Sequence, residues 1–76
     1  MLNQRQQERF RIMNDELHNI CHNKEYSPEV RFKALRLSAD MIEDNLILTK
    51  RKFRRGDIES VIREYDTQLM EVYKLI

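Results

Sequence analysis

Apolar side chains recur along this chain at helical intervals, in three segments separated by two breaks. Phe10, Met13, Leu17, Ile20 and Cys21 follow a 3-4-3 rhythm, which places them on one stripe of a helix. Ile58, Ile62, Tyr65, Leu69, Val72 and Ile76 keep a strict 4-3-4-3-4 rhythm, with Val61 and Tyr73 on its flanks. That is the spacing of a coiled-coil-like seam. The segment between them carries two stripes. Val30, Ala34, Leu37, Met41 and Leu48 form the first, and Leu35, Ala39, Ile42, Leu46 and Phe53 the second. At about 100° per residue the stripes stand roughly 120–140° apart. A helix apolar on two sides is expected to pack against two neighbours. The first stripe is therefore expected to meet the N-terminal helix and the second the C-terminal helix, with Ile42 and Leu46 in the core.

The breaks have recognisable chemistry. Asn23-Lys24-Glu25-Tyr26-Ser27-Pro28 ends in a Ser able to cap a helix and a Pro suited to its first position. Glu29 then sets a negative charge against the helix dipole. Glu29–Lys33 and Arg36–Asp40 stand at the i,i+4 spacing that supports a helix. At Arg55-Gly56-Asp57, Gly56 is expected to close one helix in the left-handed conformation and Asp57 to cap the next. Residues 3–9 hold no apolar side chain, so the first two turns are expected to be exposed or frayed. The reading is one all-α domain over residues 1–76. It is a small three-helix bundle, or an αα-hairpin with an added N-terminal helix, with helices near 4–23, 28–54 and 58–75.

Composition agrees. The 76 residues contain one Gly and one Pro, too few for a turn-rich β fold, and one Cys, too few for an internal disulfide. One Gly cannot build a phosphate-binding loop or a dinucleotide fingerprint. The longest aliphatic run is Leu46-Ile47-Leu48, and no apolar leader opens the sequence, so a cytoplasmic protein without membrane contact is expected. The formal net charge is +1, weak support for a dedicated nucleic-acid binder. Its distribution is uneven. Residues 25–56 hold eight basic and five acidic groups, whereas residues 57–76 hold two and five. The basic and acidic segments are expected to pack side by side.

No arrangement of nucleophile, base and orienting group is legible, so an enzyme is not expected. No cofactor is expected either. His18 and His22 stand one helical turn apart, beside Cys21, and are weak candidates for metal ligands. A zinc site asks for three or four. Arg55-Gly56-Asp57 spells an adhesion tripeptide, but Gly and Asp are accounted for as helix punctuation. The run Lys50-Arg51-Lys52-Phe53-Arg54-Arg55 has five cations in six positions, more than a helix end requires.

Helix lengths suggest where a working surface lies. The middle helix would run about 40 Å and the apolar part of the first only about 18 Å. Ile47 and Leu48 are then expected to stay uncovered beside the basic run, the alternative being that the N-terminal turns fold over this end through Leu2 and bury it. The expected protein-binding surface is Ile47, Leu48, Lys50, Arg51, Arg54 and Arg55. The expected function is a helical protein–protein interaction module, an adaptor, inhibitor or regulatory subunit. Its expected partners are another protein and a second copy of itself as a two-fold dimer. The alternative is a nucleic-acid-associated regulator using residues 50–55.

Overall fold

The computed structural model of the chain describes residues 2–50 and 53–76, with Arg55 described by its backbone alone. Three helices run up, down and up: α1 (Gln4–His22), α2 (Pro28–Lys50) and α3 (Arg55–Lys74). They pack against one another as the all-α three-helix bundle that the periodicities require.

Asn3 caps α1. Its Oδ1 accepts from the Gln6 backbone N–H at 2.8 Å, and the Gln6 side chain accepts from the Asn3 N–H at 3.0 Å. This reciprocal box satisfies two of the free N–H groups that every helix start exposes. The first turns are therefore capped and not frayed, although, as expected, every residue from 3 to 9 except Gln6 is exposed. Gln6 is itself buried, and its amide donates to Glu59 Oε1 on α3 at 3.0 Å. At α2, Ser27 Oγ accepts from the Val30 N–H at 3.3 Å and Pro28 opens the helix, as the sequence indicates.

Gly56 departs from expectation. α3 begins at Arg55, so Gly56 lies inside its first turn, and no described residue has the positive φ of a left-handed cap. Arg54 is the N-cap, with no side-chain capping bond, and Asp57 is an acidic residue of the first turn. A Cβ at Gly56 would meet nothing within 4 Å. Gly56→Ala should therefore stabilise the fold by about 0.5–1 kcal/mol, since glycine in a helix costs backbone entropy that alanine does not. Thermal denaturation followed by circular dichroism measures it, and a lowered Tm would restore Gly56 to a closing role.

The core joins all three helices. From α1 come Phe10, Met13, Leu17 and Ile20, from α2 Val30, Ala34, Leu37, Met41 and Leu48, and from α3 Ile58, Ile62, Tyr65, Leu69 and Val72. The α1 and α3 stripes are thus borne out, apart from Cys21, which is only half-buried at the edge of the core, and Ile76, which lies past the end of α3 and is exposed. Leu2 completes the cluster at 3% exposure. Its position follows from register. Ser38 Oγ donates to Asn14 Oδ1 at 2.5 Å, and Arg31 Nε donates to the Cys21 carbonyl at 2.8 Å. Both bonds fit one antiparallel register, in which residue 4 stands level with residue 48. Leu2 therefore sits over the far end of α2, and Leu48, expected to be uncovered, is 5% exposed.

Candidate protein-interaction face

One stripe of α2 meets both neighbours. Ser38 and Arg31, on one edge of the buried stripe, bond to α1, and Asp44, on its other edge, accepts a hydrogen bond from the Tyr65 hydroxyl of α3. The second stripe, assigned from sequence to α3, faces outward. Leu35 is 51% exposed, Ile42 47% and Leu46 55%, with Ala39 and Phe53 also exposed. Phe32, at 61%, extends this surface by one turn. The reason is geometric. In a triangle of helices, two neighbours lie close enough together for one face of about 100° to reach both. The remainder of α2 has no partner among the described residues.

The result is a row of half-exposed large side chains, Phe32, Leu35, Ile42 and Leu46, about 21 Å long at 1.5 Å per residue. Single exposed apolar residues are ordinary, but a contiguous row is the mark of an interaction surface. A shallow groove of about 230 Å³ adjoins it between α1 and α2, bounded by Phe10, Asn14, Met41, Ile42 and Asn45. Asn45 Oδ1 is buried there without a hydrogen-bond partner among the described residues.

The surface expected from sequence is only partly assembled. Ile47 is 42% exposed, and Lys50 and Arg54 are exposed. Leu48 belongs to the core. Arg51 lies outside the described residues, and the Arg55 side chain likewise. Ile47 points well away from the Leu35–Leu46 row, about 100° round the helix from Leu46. The sequence missed Phe32 and misassigned Leu35, Ala39, Ile42 and Leu46. The available signal was their continuous 3-4-3-4 spacing from Phe32 to Leu46, which is complete without any contribution from α1 or α3.

Among the described residues no ion pair links α2 and α3, and neither Glu29–Lys33 nor Arg36–Asp40 closes to 4 Å. Among the described residues, the ion pair between helices joins Arg9 of α1 to Asp66 of α3. Arg11 bonds Glu8 and Asp15 within α1, and its guanidinium holds the Glu8 carboxyl below its ordinary pKa.

His18 and His22 are exposed and meet edge to face, with ring centroids 6.1 Å apart. Among the described residues no three His, Cys, Asp or Glu side chains converge as a metal site would. Tyr65 packs edge-on against Phe10 at 6.3 Å. Burial first, and the Asp44 carboxylate second, hold its phenol well above the ordinary value of 10. A raised acid pKa in the folded state means that ionisation opposes folding. The stabilisation is complete below about pH 10 and is lost as pH rises beyond it. Tyr65→Phe should flatten that alkaline decline in urea titrations between about pH 9 and 11. An unchanged slope would show that Tyr65 is not its source.

Among the described residues no helix is long and apolar enough to cross a membrane. Comparison of the chain with family models, curated proteins and solved structures finds no match.

Proposed function

We propose that the protein is a small helical interaction module, an adaptor, inhibitor or regulatory subunit, whose working face is the outer side of α2. The observation that carries this reading is the row Phe32, Leu35, Ile42 and Leu46, each about half exposed on a helix whose other face is already in the core. Amphipathic helices bind partner proteins through anchors at this spacing. Lys50 lies at the edge of the face, where a polar and charged rim is expected. The row favours a protein partner over nucleic acid, because nucleic-acid contacts are dominated by cations along the bound surface. Here the long axis of the face is apolar.

A photo-crosslinking side chain introduced at Ala39 tests the reading. In the native host it should give a protein adduct, of a second copy or of another protein. The same side chain at exposed Arg63 on α3 should not. Leu35→Lys with Leu46→Lys should abolish the Ala39 adduct while leaving the protein helical. If Ala39 gives no adduct, or the double variant keeps it, the working face is elsewhere.

A further inference from the structure

The charges beside the apolar row repeat at its own interval and alternate in sign. Glu29, Arg36, Glu43 and Lys50 stand seven residues apart, all exposed. None lies within 4 Å of an opposite charge among the described residues. With Phe32, Ala39 and Leu46 as a positions and Leu35 and Ile42 as d positions, all four charges occupy e, on one flank of the seam. The other flank, g, holds Arg31, Ser38 and Asn45. It is turned toward α1, where Ser38 and Arg31 are already hydrogen-bonded.

We propose, resting on the reading of this face as an interaction surface, that its occupant is a second copy of the chain. The two α2 helices pair antiparallel about a two-fold axis. The sequence −, +, −, + becomes its own complement when reversed. In an antiparallel pair e faces e, which sets Glu29 opposite the partner's Lys50 and Arg36 opposite the partner's Glu43. The axis repeats both, giving four pairs of opposite sign. The same register layers Ala39 against the partner's Ile42 and Leu35 against the partner's Leu46, so a small residue faces a larger one at the centre. A parallel pair would bring e against g. That sets Arg36 beside the partner's Arg31 and creates no pair of opposite sign. Reverse complementarity is what an interface that meets itself requires, whereas an unrelated partner would place no such demand on the pattern. One helix from each copy buries less than the roughly 1,600 Å² of a standard interface. The dimer is accordingly expected to be weak, with Kd on the order of 10 µM.

Sedimentation equilibrium of the full chain from about 1 to 500 µM tests this, with circular dichroism confirming that each variant is folded. The wild type should pass from monomer to dimer. Glu43→Arg and Arg36→Glu should each weaken the dimer at least about tenfold, by setting like charges opposite each other twice. The combined Arg36→Glu/Glu43→Arg chain should recover wild-type affinity to within about threefold. A wild type monomeric at 500 µM overturns self-pairing. The Ala39 crosslink is independent of that result: an adduct with another protein would keep the interaction face and discard the second copy, and no adduct would discard both. A dimer that Leu46→Lys abolishes but the charge variants leave intact overturns the antiparallel register. Tighter association of Arg36→Glu also overturns it, because relief of the Arg31 contact belongs to the parallel pair.

Discussion

Leu17→Ala is expected to lower the unfolding free energy by about 3 kcal/mol, whereas Ile42→Asp, measured below micromolar concentration, is expected to change it by less than about 1 kcal/mol. Leu17 has no exposed surface and lies in the cluster that joins all three helices. Truncating it removes transfer free energy and leaves a cavity that close-packed neighbours fill only in part. For a chain of 76 residues, with a total stability on the order of 5 kcal/mol, that is most of the margin. Ile42 is nearly half exposed. An aspartate there keeps its hydration, and only its lower helix propensity acts. Urea denaturation of both variants checks the pair. If Ile42→Asp unfolds the protein, the outer stripe of α2 is part of the monomer core.

The second large effect belongs to Leu2. Leu2→Asp should destabilise the protein by about 3 kcal/mol, and Leu2→Ala by about 2 kcal/mol. Leu2 is 3% exposed and shares the core cluster with Leu48 and Ile58, at the end where α2 stops and α3 begins. A carboxylate in its place would be buried among aliphatic groups, with no cation among the described residues of the cluster to pair with. Replacing Leu2 would also loosen the segment that carries the Asn3–Gln6 capping box. Asn3→Ala alone should cost about 1 kcal/mol, so the cap and the core contribution are separable. Equal effects of Leu2→Ala and Asn3→Ala would mean that Leu2 only follows the cap. No effect of Leu2→Asp would mean that Leu48 is covered by something else.

The helical rhythm of α1 and α3 was readable because each has a single stripe, and a single stripe can face only inward. Ser27 and Pro28 were readable because their capping chemistry is local. The start of α3 was misplaced. Arg-Gly-Asp permits either a glycine closing α2 or a glycine inside the first turn of α3, and local preference does not separate them. The capping box at Asn3 was missed because residues 3–9 contain no apolar side chain, although Asn3 and Gln6 stand at the required spacing. Of the candidate surface, Ile47, Lys50 and Arg54 were correctly placed outside the core. Leu48 was not, because its cover comes from one leucine ahead of the first helix.

The sequence by itself determined that the chain makes three helices, where α1 and α2 begin, and which stripes of α1 and α3 are buried. These follow from interactions within a few residues, namely 3.6-residue periodicity, capping and the dihedral limits of Pro. It also recorded that α2 has two apolar stripes. Only the tertiary structure decided which of them is core, because that depends on the angle between the neighbours of α2. Had α1 and α3 packed on opposite sides, both stripes would have been buried. They pack on one side, joined to each other through Arg9–Asp66 and Gln6–Glu59. The stripe of Leu35, Ile42 and Leu46 is therefore left facing water, because a three-helix triangle buries only one face of each member.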